Sequence, residues 1–245
     1  MRDTIQGLWI GPELSTMEQL SISSFLANGH PYHLYVYDAV KNIPNGAVVQ
    51  DASKILPASA IFQYRQYETY SGFSNFFRYK LLLERGGWWA DMDLICLKSL
   101  DFAEEYVFSS EMDKGVEVIN CGAIKSPPGS EVMAYAWNEC RSKDPKQITW
   151  GETGPRLMAQ AVTAHRLESY KKSYQVFCPF AWNEWRKVIE PEQNIRLDPS
   201  THAIHLWNEI WRQEGVDKDA RYETGCLYEQ LKREYLPHLC ATAPL

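Results

Sequence analysis

The chain has 245 residues, of which 45% are hydrophobic and 23% charged, a globular balance that excludes intrinsic disorder and low-complexity classes. Its 25 Lys and Arg against 31 Asp and Glu give a net charge of −6, which argues against nucleic acid as a partner, because phosphate-backbone binders carry basic surfaces. A local basic pocket for one small anionic ligand remains open to such a chain.

In chain order, Thr4 to Ile10 reads as a buried strand stopped by the turn pair Gly11-Pro12. Ser15 to Asn28 reads as a helix, with Ser15 and Glu18 as a capping box and Asn28-Gly29 as its end. His33 to Tyr37 is a second strand ending at Asp38, so the chain opens strand, helix, strand, the start of a parallel α/β sheet. Ser59 to Arg65 fits a short strand or a short helix equally. Ser71 to Arg85 is a helix that Ser71 or Ser74 can cap and that Gly86-Gly87 stops. Trp88 to Leu97, Tyr106 to Ser109 and Val116 to Ile124 follow as strands, then Glu131 to Cys140 as a helix. Pro155, at the favoured first helical position, opens a helix to Glu168. Tyr174 to Phe177 and Ala203 to Leu206 read as short strands, Pro179 to Glu190 as a Trp-rich irregular stretch, and Gly225 to Leu236 as a closing helix.

No run approaches the roughly 20 apolar residues that span a bilayer. Met1 to Gly11 is too short and polar for a signal peptide, and the chain has no Asn-x-Ser/Thr sequon. Cys96, Cys121, Cys140, Cys178, Cys226 and Cys240 are scattered without zinc spacing, as expected of free thiols in a reducing compartment. These features point to a cytoplasmic protein with at most peripheral membrane contact. The expected fold is α/β in one domain over 1–245, with a mixed, mainly parallel central sheet flanked by helices.

The chemistry concentrates in Phe73 to Leu97. On the helix, Asn75, Arg78 and Leu82 share a face, a polar side chain and a cation on an otherwise apolar element. In the following strand, alternation points Trp89, Asp91 and Asp93 the same way. Two carboxylates on one face repel each other and lose hydration on burial. A hard divalent cation relieves both costs, and the oxygens of an Asp-x-Asp suit Mg²⁺ or Mn²⁺. Neutral His205 is the candidate to complete a metal shell, with Asn208 as a further or alternative ligand through its side-chain oxygen. The plain alternatives are a surface salt bridge for Arg78, solvated aspartates at a strand end, and core packing for Trp9, Trp89 and His205.

The run from Arg78 through Gly86-Gly87-Trp88-Trp89-Ala90-Asp91-Met92-Asp93 resembles the donor-binding segment of glycosyltransferases of the GT-A fold. It is similar in particular to the group with a DXD-containing sugar-binding region, glycosyltransferase family 32 and its bacterial relatives, and more distantly to the clostridial glucosylating toxins. Trp9-Ile10-Gly11, the strand ending at Asp38, Asn120-Cys121-Gly122-Ala123, Thr153-Gly154-Pro155 and His205-Leu206-Trp207-Asn208 resemble other segments of that group, in the same order.

The resemblance implies a nucleotide-sugar donor, UDP-linked in most relatives. Residues 1–100 would mainly bind it, 101–215 would form the acceptor side and complete the metal site, and 216–245 would add a C-terminal helical segment. Trp9, Ile10, Gly11 and Asp38 would meet the nucleoside, with Trp9 stacked on the base. Asn75, Arg78, Trp89, Ala90, Asp91, Glu152, Thr153 and Gly154 would border the sugar and diphosphate. Asp91, Asp93, His205 and Asn208 would hold Mn²⁺ or Mg²⁺, and Asp91, Asp93 and Arg78 would carry catalysis. Glu152 is a guess as general base. Trp207 and Trp211 would form a lid or an anchor.

Transfer would proceed with retention, moving a hexose or N-acetylhexosamine to a glycan or lipid-linked acceptor in bacterial polysaccharide or lipopolysaccharide synthesis. A protein acceptor, as in glucosylating effectors, is the alternative within the class. Outside it stand a non-catalytic carbohydrate-binding protein and a dehalogenase-like phosphatase. The phosphatase pattern places its Asp-x-Asp after the first buried strand, not after a Gly-Gly-ended helix.

Overall fold

The computed structural model describes residues 2–64, 67–191 and 195–240. Arg65, the last residue of the ambiguous run from Ser59, lies outside the described residues, as does the side chain of Cys240. Eight strands and eight α-helices are described: β1 (Ile5–Trp9), α1 (Thr16–Ala27), β2 (Tyr32–Val36), β3 (Val48–Asp51), α2 (Ser71–Arg85), β4 (Gly87–Ala90), β5 (Leu94–Cys96), β6 (Val107–Asp113), β7 (Val116–Ser126), α3 (Glu131–Arg141), α4 (Pro155–Ala164), α5 (Tyr174–Phe177), β8 (Ala203–His205), α6 (Asn208–Gln213), α7 (Leu227–Tyr235) and α8 (Pro237–Cys240).

Six strands form the central sheet in the order β3-β2-β1-β4-β7-β6. The β3, β2, β1 and β4 neighbours are parallel, while β7 is antiparallel to both β4 and β6. This is the expected mixed α/β sheet. The β4 strand shows how it is sandwiched. Side chains alternate along a strand, so Trp88 enters one core with α1 and α7, and Trp89 enters the other with α2, α3 and α4. The Trp-Trp pair thus nails the sheet between two layers, each ring burying about 150–250 Å².

Several local expectations are realised. The Ser15 backbone N–H donates to Glu18 Oε2 at 2.8 Å, the reciprocal half of the capping box. Gly86 and Gly87 have φ of +63° and +84°. A Cβ on Gly86 would stand 2.5 Å from Pro128, so glycine is required there both for its backbone and for its size.

Other elements differ from the sequence reading. The strand expected over Trp88 to Leu97 is two strands. β4 stops at Ala90, a turn holds Asp91, Met92 and Asp93, and β5 leaves the main sheet to pair antiparallel with β8. Strand alternation therefore does not aim the two aspartates; the turn does. Tyr174–Phe177 is one helical turn and not a strand; the consecutive Val176 and Phe177 both pack into the core that holds Trp88, which strand alternation would send to opposite faces. Neither Ser71 nor Ser74 caps α2, whose cap position is Tyr70. Within the Trp-rich stretch, Trp182–Val188 forms a 3-10 helix. The sequence reading omitted β3, a short exposed edge strand, and α6, only six residues long.

Candidate active site

The Asp-x-Asp turn sits where β4 ends. The Asp91 N–H donates to the Gly122 carbonyl of β7 at 2.8 Å, and the Leu94 N–H donates to the Asp91 carbonyl at 3.1 Å, closing the turn. Beneath it, Tyr32 Oη donates to Met92 Sδ at 3.1 Å. A Cβ on Gly7 would stand 2.4 Å from that hydroxyl, so the β1 glycine leaves room for the turn to seat.

Arg78 reaches the turn from α2. It is buried, and its guanidinium donates to Asp91 Oδ1 at 2.9 Å and to the Cys121 carbonyl. The fork lies 4.9 Å from the Trp89 ring centroid, and the Trp89 indole N–H also donates to Asp91 Oδ1 at 2.8 Å. The Asp91 carboxylate beside it raises the Arg78 pKa further, against the opposing effect of burial. The cation on an apolar helix is thus explained by a buried partner and not by a surface stripe.

Asp93 faces the other way, toward β8. Its Oδ1 is 3.1 Å from His205 Nε2, and its Oδ2 accepts the Asn208 backbone N–H at 2.7 Å. Burial pushes the Asp93 carboxyl up, but His205 and the hydrogen bonds outweigh it and hold the pKa below the ordinary value. The same pair raises His205 well above its usual range despite burial. Trp207 makes the geometry possible by adopting a left-handed conformation, φ 60° and ψ 49°, between β8 and α6. A non-glycine residue held there costs about 1–2 kcal/mol, and strain of this kind gathers at functional sites.

One ligand atom from each of Asp91, Asp93 and His205 lies within 4.8 Å of the others. Asn208, whose backbone N–H binds Asp93, has its side-chain Oδ1 buried with no hydrogen-bond partner among the described residues. Two carboxylates, an imidazole and an orphaned amide oxygen make a donor set that fits a hard divalent cation. A buried amide oxygen without a partner costs about 1–3 kcal/mol, which coordination would recover.

The structure also brings Asn75 of α2 against the turn at Thr153 and Gly154. Asn75 Nδ2 is 3.5 Å from Thr153 Oγ1, and a Cβ on Gly154 would stand 3.2 Å from the same nitrogen. Tyr79 Oη donates to the Thr153 carbonyl at 2.9 Å, tying α2 to the turn that opens α4. Ala90 is buried in β4.

Glu152 is committed elsewhere: Lys143 Nζ lies 2.9 Å from its Oε1, and the Thr149 N–H donates to its Oε2 at 2.9 Å. These bonds hold its carboxyl down at about 2, which makes it a poor proton acceptor. Trp9, Ile10 and Gly11 lie at the C-terminal end of β1, partly buried, and the Trp9 indole N–H is buried without a partner among the described residues. Asp38 is exposed beyond β2, away from the cluster's contacts.

Trp211 is fully buried against Trp185 and Tyr228, and the Trp207 indole N–H donates to the Phe180 carbonyl at 3.0 Å. Both are anchors. The sequence reading missed the carbonyls of Cys121 and Gly122 as supports of the site, because backbone acceptors leave no signal in residue identity.

Two family models match the chain. One, described as the glycosyltransferase sugar-binding region containing the DXD motif, covers residues 15–109; the other, described as the alpha 1,4-glycosyltransferase conserved region, covers residues 143–243. Lactosylceramide 4-alpha-galactosyltransferase of Mus musculus is 26% identical over 177 residues, 65% of this chain and 46% of that one. Its Homo sapiens counterpart is 26% identical over 174 residues, 65% of this chain and 47% of its own length. The chain therefore spans about half the length of the curated relatives it matches. Among solved structures, the PaToxG glycosyltransferase superposes with a TM-score of 0.51 at 16% identity, over 96% of this chain and 85% of that one. At that identity the likeness bears on the fold alone.

Proposed function

We propose that this chain, which matches the glycosyltransferase sugar-binding region containing the DXD motif over residues 15–109 and the alpha 1,4-glycosyltransferase conserved region over residues 143–243, is a glycosyltransferase that moves a hexose or N-acetylhexosamine from a UDP-sugar to a glycan or lipid-linked acceptor, with retention of configuration. The observation that carries the proposal is the meeting of Asp91, Asp93 and His205, with ligand atoms within 4.8 Å of one another. The matches to two glycosyltransferase family models favour transfer over a non-catalytic carbohydrate-binding role.

A divalent cation held by these four residues would supply charge to stabilise the departing diphosphate. The chain's own residues would do the rest. Arg78 sits in a pocket from which water is largely excluded, so its field is strong there. Its planar fork suits phosphate oxygens as well as the Asp91 carboxylate. Asn75 and the 153–154 turn would border the donor sugar. Trp9, at the C-terminal end of β1, would take the base, since open α/β sheets bind ligands outside the carboxyl ends of their strands.

The curated relatives are named for galactosyl transfer to lactosylceramide, which makes galactose the first sugar to try and a glycolipid the first acceptor. We also place the enzyme in the cytoplasm, in bacterial polysaccharide or lipopolysaccharide assembly. Five buried free thiols among the described residues support the compartment.

The test is release of UDP from UDP-galactose, UDP-glucose and their N-acetyl forms, with lactosyl lipid or glycan acceptor, in Mn²⁺ and in chelator. Metal-dependent release from one donor, with an α-linked product, is expected. Equal release in chelator, or none from any donor by folded protein, overturns the proposal.

A further inference from the structure

Glu111 lies on β6 beside this site, yet no step described so far uses it. It is only 8% exposed, and among the described residues no cation pairs with it. Its partner is neutral: Asn120 Nδ2 donates to Glu111 Oε1 at 3.0 Å. No hydrogen bond among the described residues reaches Oε2. Burying a carboxylate without a counter-cation is costly, and burial raises this carboxyl's pKa against the pull of Asn120 and of the His205 charge.

The neighbourhood shows where the pair sits. Asn120 Oδ1 accepts the Gly122 N–H, and the Gly122 carbonyl accepts the Asp91 N–H. An added Cβ on Gly122 would stand 2.7 Å from Asn120 Oδ1, 3.5 Å from His205 Cε1 and 3.7 Å from Asp91 Oδ2. Asn120, His205 and Asp91 thus converge on the face that Gly122 leaves bare, and Glu111 stands behind Asn120 in the same wall. A carboxylate there repels a diphosphate and accepts from hydroxyls. The part of a nucleotide-sugar that it suits is the sugar.

We propose that Glu111 is a sugar-binding carboxylate of the active site, held through one oxygen by Asn120 and presenting the other to hydroxyls of the sugar being transferred. The proposal rests on the nucleotide-sugar reading above. The Asn120 amide fixes the carboxylate in one orientation, so little ordering remains to be done when the sugar arrives. Because a polar site left unpaired penalises the wrong ligand, Glu111 also discriminates against sugars lacking the matching hydroxyl.

Glu111→Gln tests this most cleanly. Its Oε1 can still accept from Asn120, while a donating amide replaces the free acceptor. Two quantities are read: the Kd for UDP with Mn²⁺, which involves no sugar, and kcat/KM for UDP release from the preferred UDP-sugar. The expected result is an unchanged UDP affinity with kcat/KM lowered about 10- to 100-fold, the value of one hydrogen bond to a charged group. Glu111→Ala, checked for folding by its melting curve, should show the same split. Equal losses in both quantities would make Glu111 a mere support of the Asp91 turn, and no loss in either would make it inert; both overturn the proposal. Failure of the donor reading appears separately, as absence of Mn²⁺-dependent UDP binding by the unsubstituted protein, and the proposal falls with it.

Discussion

Arg78 and Asp91 form the pair on which the charge balance of the site depends, and a double-mutant cycle can measure it. Their side chains are 5% and 25% exposed, with Nη2 and Oδ1 2.9 Å apart. Removing one partner of a fully buried pair costs about 3–5 kcal/mol. Asp91 keeps some solvent, so its share is expected nearer about 2 kcal/mol. Arg78→Ala also orphans the Cys121 carbonyl and strips the cation from the Trp89 face, adding about 1 kcal/mol each. The expected loss is about 4 kcal/mol, or about 8–16 °C in Tm for a chain of this size.

Asp91→Ala leaves Arg78 its bonds to Cys121 and Ser74 and should cost about 2 kcal/mol. The double variant should fall short of the sum by about 1–2 kcal/mol. Urea and thermal melts give the stabilities. Coupling below about 0.3 kcal/mol, the limit of ordinary additivity, would refute the claim that the two charges hold each other. Arg78→Lys separates stability from function: lysine keeps the charge but loses the fork. It should recover most of the stability but not the turnover. Full recovery of turnover would mean that Arg78 only neutralises Asp91.

Other outcomes follow from the same geometry. Asp93→Asn should fold, because its side-chain oxygen can still accept the Asn208 N–H while its amide donates to a neutral His205 Nε2, yet lose at least about 100-fold in turnover; near-normal turnover at equal Mn²⁺ would remove Asp93 from the cation site. Asn208→Ala should keep the backbone bond to Asp93 and raise the Mn²⁺ concentration for half-activation about tenfold or more; an unchanged requirement would show that its oxygen is not a ligand. Glu152→Gln should leave turnover within about twofold, since its carboxylate serves Lys143 and Thr149 on the surface. An NMR titration should find Glu152 ionised down to about pH 2. Because that pKa is depressed, its contribution to stability is present above the usual glutamate range and is lost as pH falls toward 2; an ordinary value would break the Lys143 assignment.

Much of this was legible in the sequence where short-range chemistry is decisive. Gly86-Gly87 had to end a helix, Ser15 with Glu18 had to begin one, and an Asp-x-Asp after them had few structural uses. The turn at Asp91–Asp93 was not legible, because Asp91-Met92-Asp93 alternates as a strand would and Leu94-Ile95-Cys96 then resumes the apolar run of β4. Only the distant β8 draws that run out of the main sheet. Val48–Asp51 escaped notice as an edge strand with two exposed valines, which carries no periodic core signal. Glu111 escaped notice for a similar reason: an acidic residue just past the strand read over Tyr106 to Ser109 looks solvated until β6 continues to Asp113 and β7 brings Asn120 against it.

The central claim is that Asp91, Asp93, His205 and Asn208 hold a divalent cation at the end of β4. Anomalous diffraction at the manganese edge, from crystals grown with Mn²⁺ and UDP, tests it directly. The account predicts one strong peak bounded by these four side chains, with diphosphate density on its open side beside Arg78. Diphosphate density with the manganese peak elsewhere, or with none between Asp93 and His205, would contradict it.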